Sequence, residues 1–279
     1  MGIGWLVICE GRRGFARRLA AMALLAAALA GCGGGSSGDG GQAMEGSRET
    51  RTISSRFTGT SYALNIYLPP ASAGPRSSLP VVYALDGESW FETLVGIAES
   101  THTRIVIVGI NSSGQRNHDF VPSNNCTPNG GGHAAYFDFI RQELIPYVEG
   151  TIGGNPSQRA LFGHSHGGSF VLYAMFSESA DQHSFKAYLA SDSSVSCMSG
   201  EASGWEQSYA AAYRDLPVRL HISYATLGNY GANVDYANVV AQRNYGRLVF
   251  AARAYTGTHG GIVPQVLADA IPFAFAAGL

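Results

Sequence analysis

Short apolar runs alternate with amphipathic helical patterns from about residue 51 to the end of the chain. The runs are bounded by turn residues and rich in β-branched and aromatic side chains, which predicts strands at residues 52–57, 62–68, 79–85, 104–110, 159–162, 185–190, 218–225 and 248–255. Helical patterns occupy residues 88–99, 134–149, 167–176, 205–213, 234–245 and 264–275. The first two runs predict an opening antiparallel pair. The later alternation predicts one α/β domain, a mostly parallel sheet with helices on both faces.

The composition agrees with a globular domain of this kind. The chain has 279 residues, of which 46% are hydrophobic and 14% charged, so a sizeable core is expected. The formal net charge is only -2, and no basic run follows residue 20. Binding of nucleic acid needs a concentrated basic surface, so we expect no nucleic-acid partner.

Residues 1–32 have the pattern of a lipoprotein signal peptide. Several arginines precede an apolar run at residues 19–30, which is shorter than the ~20 apolar residues of a membrane-spanning helix. The run ends in Leu-Ala-Gly-Cys, which resembles the lipobox of bacterial lipoproteins, whose cysteine is acylated and becomes the new N-terminus. The resemblance implies a lipidated Cys32, a flexible tether at residues 33–50 and a membrane anchor in the bacterial cell envelope, facing the periplasm or exterior. An ordinary signal peptide with a chance cysteine is the alternative.

Two cysteines remain in the mature domain, Cys126 and Cys197, each in a segment rich in Gly, Ser, Asn and Pro. An oxidising compartment permits them to pair, and a bridge there would restrain otherwise mobile chain. We therefore predict a disulfide between them, with two unrelated thiols as the alternative.

The sequence Gly-His-Ser-His-Gly-Gly at residues 163–168 has the G-x-S-x-G form, between a predicted strand and a predicted helix. A serine in such a tight turn is exposed, and glycines two residues to either side let the backbone pass without side-chain clashes. The helix that follows directs its N–H groups and positive end at the same point. The pattern predicts Ser165 as a catalytic nucleophile.

A serine hydroxyl needs a general base to attack at neutral pH. In folds with this turn, the chain order is serine, acid, histidine, and His259 follows the last predicted strand in a glycine-rich loop. A rival hypothesis is a zinc site, because His164 and His166 are spaced as in metallo-β-lactamases. That motif continues with Asp and His, whereas this chain has Gly168 and Ser169, so too few ligands remain. We predict His259 as the base and no metal.

Several stretches together resemble one known family. They are Val-Tyr-Ala-Leu-Asp-Gly at residues 82–87, Phe-Ile-Arg-Gln-Glu-Leu-Ile-Pro at residues 139–146, the Ser165 turn and the His259 loop. From about Leu79 to its end the chain resembles the enterochelin-esterase-like branch of the α/β-hydrolases, which is related to esterase D and the mycobacterial antigen 85 mycolyltransferases. Members hydrolyse or transfer acyl esters without a metal or organic cofactor. The resemblance implies an α/β-hydrolase domain at residues 51–279 and no cofactor.

The resemblance also implies an oxyanion hole made of two backbone N–H groups. One belongs to Glu88, which follows the Leu-Asp-Gly sequence, and the other to His166, which follows the nucleophile. Asp86 is expected to hold the turn by accepting backbone N–H bonds. Trp90 and Phe91 follow this turn and are candidates for lining an acyl or aryl pocket, or for the core.

The catalytic acid is less clear from the sequence. Relatives commonly carry Glu or Asp shortly after a glycine that follows the seventh strand, but Gly228 is followed by Asn-Tyr-Gly, and the first carboxylate is Asp235. Asp235 is our first candidate. Asp192, which follows the preceding strand, is the second, and a Ser–His dyad oriented by a backbone carbonyl is the third.

A further pair, Arg116 and Asp119, resembles an Arg–Asp pair in the family's loop near the active site. It is interpreted either as a structural salt bridge or as a substrate contact. The functional hypothesis is a serine esterase that acts on a siderophore, short acyl or lipid ester through an acyl-enzyme on Ser165. An acyltransferase on the same fold and a non-catalytic ligand-binding lipoprotein, the latter motivated by the missing acid, are the alternatives.

Overall fold

The computed structural model describes residues 45–198 and 200–277. Within these residues, eight strands form one sheet in the order β1-β2-β4-β3-β5-β6-β7-β8. The strands are β1 (Ser47–Ser54), β2 (Ser61–Leu68), β3 (Val81–Leu85), β4 (Val106–Ile110), β5 (Arg159–His164), β6 (Ala187–Ser191), β7 (Arg219–Leu227) and β8 (Val249–Thr258). The predicted signal peptide, Cys32 and most of the predicted tether lie outside the described residues.

The sheet is antiparallel at one edge and parallel elsewhere. β1 pairs with β2 and β2 with β4 in antiparallel register, whereas β4, β3, β5, β6, β7 and β8 are joined by parallel pairs. Every residue of β3, β4 and β6 is buried, which explains their continuous apolar sequences, because both faces of these strands are covered. β1 begins at Ser47, so residues 47–50, predicted as part of the tether, belong to the sheet.

Helices cover both faces of this sheet. They are α1 (Gly87–Ser100), α2 (Arg116–Phe120), α3 (His133–Phe139), α4 (Ile145–Tyr147), α5 (His166–Phe176), α6 (Glu201–Ala212), α7 (Tyr230–Arg243) and α8 (Val263–Phe275). α1 and α8 contribute to one hydrophobic cluster, while α3, α5, α6 and α7 contribute to the other. The predicted α/β class, a mostly parallel sheet with helices on both faces, is confirmed. In the described part of the chain, none of these helices is long and apolar enough to cross a membrane.

The segment predicted as one helix at residues 134–149 is helical throughout, but it alternates between α-helical and π-helical turns. α3 and α4 are separated by π-helical turns at Ile140–Leu144, and a second set follows at Val148–Ile152. Pro146 lies between them and lacks the N–H that a regular turn uses, which favours the wider turns there. The side chains that predicted an amphipathic helix are buried as expected: Phe137, Ile140, Leu144 and Val148.

Parallel pairing brings the carboxyl ends of β3, β5, β6, β7 and β8 to one edge of the sheet. The residues that follow these strands include Asp86, Ser165, Asp192, Asn229 and His259. In parallel α/β sheets, ligand sites form beyond this edge. The fold therefore gathers the sequence-predicted site residues at one place.

Buried histidines make the stability of this domain depend on pH. His221 lies in β7 with 1% of its surface exposed, and burial lowers its pKa to about 4. An unfolded histidine binds a proton below about pH 6.5, whereas folded His221 stays neutral until about pH 4, so acid favours the unfolded chain between these values.

We expect the free energy of unfolding to fall as the pH decreases from 6.5 to 4.5. His221→Asn should reduce this slope by up to about 1.4 kcal/mol per pH unit, the value for one proton. Urea unfolding of the wild type and the variant at several pH values measures both slopes. Equal slopes for the two proteins would show that His221 is protonated to the same extent in both states.

Candidate active site

Ser165 lies in an unusually tight turn between β5 and α5, with φ 61° and ψ -121°. This conformation is unfavourable for a residue with a side chain and needs support from its surroundings. The neighbouring glycines provide it: a Cβ on Gly163 would overlap the Gly167 carbonyl, and one on Gly168 would lie 2.6 Å from Ser193 Oγ. The turn predicted from the G-x-S-x-G sequence is present, with the side chain of Ser165 half-buried.

His259 follows β8 and is paired with a carboxylate. Its Nδ1 lies 2.5 Å from Oδ2 of Asp192, the residue that follows β6. Asp192 is fully buried, while 41% of the His259 side chain is exposed. With Nδ1 donating to the carboxylate, Nε2 is the nitrogen that carries the lone pair and can take a proton. The His259 ring also packs 4.3 Å from that of His164, the neighbour of Ser165.

Asp192, not Asp235, is the carboxylate that lies against His259. Asp235 lies on the exposed side of α7, whereas Asp192 accepts the Asn229 N–H at 3.2 Å and lies where a Cβ on Gly228 would overlap its Oδ2. Asp192 belongs to the loop after β6, and its carboxylate contacts the neighbouring loop after β7. Asp235, the first candidate from the sequence, is therefore not the carboxylate that pairs with His259. The signal in the sequence was the position of Asp192 directly after a buried strand.

The environment of Asp192 favours its charged form. Burial alone would raise its pKa, but hydrogen bonds from His259 and from the backbone N–H groups of Ala225 and Asn229 outweigh burial, and the pKa lies below the usual value of 3.8. The carboxylate therefore stabilises the fold above about pH 4, and this contribution is lost as the pH falls through the lowered pKa. At neutral pH His259 faces a fully ionised partner.

Both predicted oxyanion donors lie in the first turns of helices. His166 is the first residue of α5, and Glu88 is the second residue of α1. N–H groups in a first helical turn have no acceptor within the helix and stand at its positive end. The Glu88 carboxylate accepts the Ser112 backbone N–H at 3.0 Å, so this side chain is engaged with the loop after β4.

Arg116 joins the two turns that carry these donors. Its Nε donates to Asp86 Oδ1 at 2.8 Å, and its Nη2 donates to the His164 carbonyl at 3.2 Å. Asp86 was expected to hold its turn by accepting backbone N–H bonds with its side chain, but its carbonyl does this, accepting from Ser89 at 2.8 Å. The Asp86 carboxylate instead accepts the hydrogen bond from Arg116.

Arg116 and Asp119 do not form a salt bridge with each other, which was one of the two interpretations of this pair, because Asp119 has other partners. Asp119 accepts the Tyr62 hydroxyl at 2.7 Å and lies 2.9 Å from His118 Nδ1. Tyr62 belongs to β2, on the antiparallel side of the sheet, so Asp119 anchors α2 there. Arg116, at the start of the same short helix, reaches the site instead.

The histidines that flank Ser165 have different surroundings. His164 is buried, its Nδ1 lies 3.1 Å from Ser191 Oγ, and burial followed by the nearby His259 lowers its pKa to about 3. His166 Nε2 lies 3.5 Å from Cys126 Sγ, and burial is the main cause that lowers its pKa to about 4. Both imidazoles are neutral at neutral pH. They point to different partners, so they do not combine as the zinc hypothesis required.

Other side chains near Ser165 complete the site. Ser194 was not anticipated from the sequence; its Oγ lies 3.2 Å from Ser165 Oγ, and its N–H donates to the Ser165 carbonyl. Trp90 is half-buried with its ring 5.4 Å from that of His164, whereas Phe91 is buried in the core. Trp90 is therefore the one of these two aromatic residues that lies beside the candidate catalytic residues.

The predicted disulfide is present between Cys126 and Cys197, whose Cα atoms are 4.9 Å apart. Cys197 ends a short 3₁₀ turn, Val195–Cys197, in the segment that also carries Asp192 and Ser194. Cys126 lies in the loop between α2 and α3. The bridge thus fastens that loop to the segment that follows β6.

The strand order, the turn at Ser165 and the Asp192–His259 pair at the carboxyl edge define this fold as that of the α/β-hydrolases. Within that class, the chain belongs to the family described as "Putative esterase", whose sequence model matches residues 54–244. The matched part includes Ser165 and Asp192 and ends before β8.

Similar curated proteins carry names of siderophore esterases. The ferri-bacillibactin esterase BesA of Bacillus subtilis is 29% identical over 172 residues, 53% of this chain and 58% of that protein. The siderophore triacetylfusarinine C esterase of Aspergillus fumigatus is 32% identical over 136 residues, 43% of this chain and 46% of that protein. The chain therefore spans about half the length of these relatives.

Solved structures share the fold. An IroE-like serine hydrolase from Shewanella oneidensis superposes with a TM-score of 0.73 at 24% identity, covering 81% of this chain and 79% of that one. A BES protein from Bacillus cereus gives a TM-score of 0.71 at 25% identity, covering 81% of this chain and 94% of that one. At such identities the likeness concerns the fold.

Replacing Asp192 by Asn should abolish most ester hydrolysis without unfolding the protein. The amide retains the shape of the carboxylate but favours the wrong tautomer of His259, and we expect kcat to fall by about 10⁴-fold. Asp235→Asn is the matched control and should keep wild-type kcat. Steady-state rates with a chromogenic ester decide between them. Loss of activity in the Asp235 variant alone would restore Asp235 as the acid.

Arg116→Met should lower kcat by about tenfold to a hundredfold and leave KM nearly unchanged. The substitution removes the bond between the two donor turns, and a displaced oxyanion donor weakens binding of the transition state more than that of the substrate. Arg141→Met removes an exposed arginine that pairs with Asp138, and serves as the control. A rise in KM with constant kcat would instead indicate that Arg116 binds substrate.

Proposed function

We propose that the protein is a serine esterase with Ser165 as nucleophile, His259 as general base and Asp192 as the residue that orients the base. The observation that carries the proposal is the buried carboxylate of Asp192 at 2.5 Å from His259 Nδ1, beside a serine in a tight strand-to-helix turn. A carboxylate in this position fixes the tautomer that leaves Nε2 basic and stabilises the imidazolium formed when the base takes a proton.

The proposed reaction proceeds through an acyl-enzyme. His259 removes the proton of Ser165 as its oxygen attacks the ester carbonyl, and the Glu88 and His166 N–H groups stabilise the developing oxyanion. Each such donor contributes about 3 kcal/mol of transition-state stabilisation. The imidazolium then gives its proton to the leaving alcohol. Water, deprotonated by His259, releases the acid and regenerates Ser165.

We propose a small-molecule carboxylic ester of the siderophore class as substrate. Support comes from the relatives, since the bacillibactin and triacetylfusarinine C esterases and the apo-salmochelin esterase of Escherichia coli are all named for siderophore esters. A second support is Trp90, which places an aromatic surface beside the His164 ring. Aromatic surfaces suit planar aryl groups, for which stacking or edge contacts are favourable. A short acyl ester and a lipid ester are the competing substrates in the assay below.

We also propose that the protein acts in the bacterial cell envelope, anchored by a lipid on Cys32. Residues 29–32 support a lipobox, and the disulfide between Cys126 and Cys197 suits an oxidising compartment such as the periplasm or exterior. The non-catalytic ligand-binding alternative rested on a missing acid, and against it stands Asp192, a carboxylate 2.5 Å from His259 Nδ1.

A fluorophosphonate probe tests the nucleophile. We expect mass spectrometry to find the label on Ser165 of the purified chain. The Ser165→Ala variant should not be labelled, and its kcat should be lower by about 10⁵-fold or more. Ser194→Ala is the matched control, because its Oγ lies 3.2 Å from that of Ser165. It should still be labelled on Ser165. Label on Ser194, or label that persists in Ser165→Ala, contradicts the proposal.

The same preparation distinguishes substrates and acceptors. Initial rates with a catecholate trilactone, a p-nitrophenyl butyrate and a lipid ester rank the three substrate classes by kcat/KM. We expect the trilactone to rank first, with free acid as the product. If an added alcohol captured most of the acyl group in place of water, the protein would be an acyltransferase.

A further inference from the structure

A group of three potential metal ligands lies directly beside the candidate nucleophile. It consists of Cys126, His166 and Cys197, and the ligand atoms of all three lie within 4.8 Å of one another. All three residues are half-buried, so solvent ions can reach them. His166 comes from the start of α5, Cys197 from the segment after β6, and Cys126 from the loop before α3. We refer to these residues as the sulfur–imidazole cluster.

The distance between the cluster's sulfur and nitrogen atoms suits a shared cation. Cys126 Sγ and His166 Nε2 are 3.5 Å apart. Two ligands on a tetrahedral zinc ion, with Zn–S and Zn–N bonds of ordinary length, are separated by about 3.6 Å. Thiolate and imidazole together are also the ligands that favour Zn²⁺ and other thiophilic cations. Two sulfur ligands of one cation must lie farther apart than the two sulfurs of a disulfide. Once the S–S bond is broken, rotation about the cysteine χ1 angles can move the two sulfurs apart.

The His166 side chain has no other assigned role in the site. The proposed reaction uses only its backbone N–H, and its Nδ1 is buried without a hydrogen-bond partner in the described part of the chain. Its Nε2 faces the sulfur of Cys126. Charge also favours a cation here, because two thiolates neutralise a divalent ion and leave a half-buried site without net charge.

We propose that reduction of the Cys126–Cys197 disulfide converts the sulfur–imidazole cluster into a binding site for a thiophilic divalent cation such as Zn²⁺. A phosphine supplies the electrons: phosphorus becomes a phosphine oxide with oxygen from water, and each sulfur gains one electron and one proton. The cation then displaces both thiol protons into solvent. It binds two thiolates and the lone pair on His166 Nε2, with water in the fourth position.

The bound cation and the disulfide would each hold the loop of Cys126 against the segment that follows β6. Ser194, near Cys197 in the chain, donates its N–H to the Ser165 carbonyl at 3.2 Å, and His166 is the residue after Ser165. Oxidised protein ties the loop of Cys126 to this segment by a covalent bond. Reduced protein with bound cation ties it by coordination, and includes His166 directly.

Cobalt provides a direct readout, because tetrahedral Co²⁺ with thiolate ligands has strong charge-transfer absorption and visible d–d bands. The full chain is reduced with a phosphine, freed of metal and titrated with Co²⁺, and far-ultraviolet circular dichroism is recorded at each step. We expect one equivalent to bind with these bands, and Zn²⁺ to displace it. The oxidised chain should show no bands.

Variants test the ligands. Cys126→Ser removes one thiolate and should lower the intensity of the charge-transfer band, the double variant Cys126→Ser/Cys197→Ser should lose the band, and His166→Gln should weaken binding at least tenfold. Bands that persist in the double variant would assign the cation to the two cysteines of the predicted signal peptide, Cys9 and Cys32, and overturn the inference. Absence of bands in the reduced wild type also overturns the inference. This holds if the reduced protein stays folded, and equally if it loses its helical circular dichroism signal and Co²⁺ does not restore that signal. Ser165→Ala should bind Co²⁺ like the wild type, so this result is separate from the esterase assay.

Discussion

The backbone at Ser165 has a positive φ, and the organisation of the site follows from the space that this conformation requires. Gly163 has no room for a side chain, because a Cβ there would overlap the Gly167 carbonyl, and a Cβ on Gly168 would lie 2.6 Å from Ser193 Oγ. This contact joins α5 to the segment that follows β6. The same small residues that permit the turn therefore bring the candidate nucleophile, one candidate oxyanion donor and the loop of Asp192 into one region.

Asp192, the candidate acid, is held by contacts between neighbouring strands. Asp192 accepts N–H groups of Ala225 at 3.0 Å and Asn229 at 3.2 Å, both in or after β7, as well as contacting His259 after β8. One carboxylate thus links three adjacent strand ends. These bonds stabilise its charged form and fix its direction, so the carboxylate that contacts His259 also contributes to the stability of this edge of the sheet.

Arg116 has a corresponding role on the other side of Ser165. It contacts Asp86 in the turn before α1 and the His164 carbonyl in the turn before α5, so two helix N-termini are held in a defined relation. An oxyanion site made of backbone groups depends on such support, because backbone donors have no side-chain rotamers with which to adjust. The disulfide between Cys126 and Cys197 adds a covalent restraint on the same side of the sheet as His166.

The sequence by itself determined the order of the strands and of the longer helices along the chain, the turn at Ser165 and the position of His259, because hydrophobic periodicity and the glycine spacing are local properties. It did not indicate the short helix α2. It did not determine the partner of His259. Asp192 and His259 are 67 residues apart, and which carboxylate reaches Nδ1 depends on how the loops after β6 and β7 pack together. Asn229 follows the seventh strand and bonds to Asp192, which lies beside Gly228. The partners of Arg116 and Asp119 were decided in the same way, by contacts between segments distant in sequence that only the folded sheet brings together.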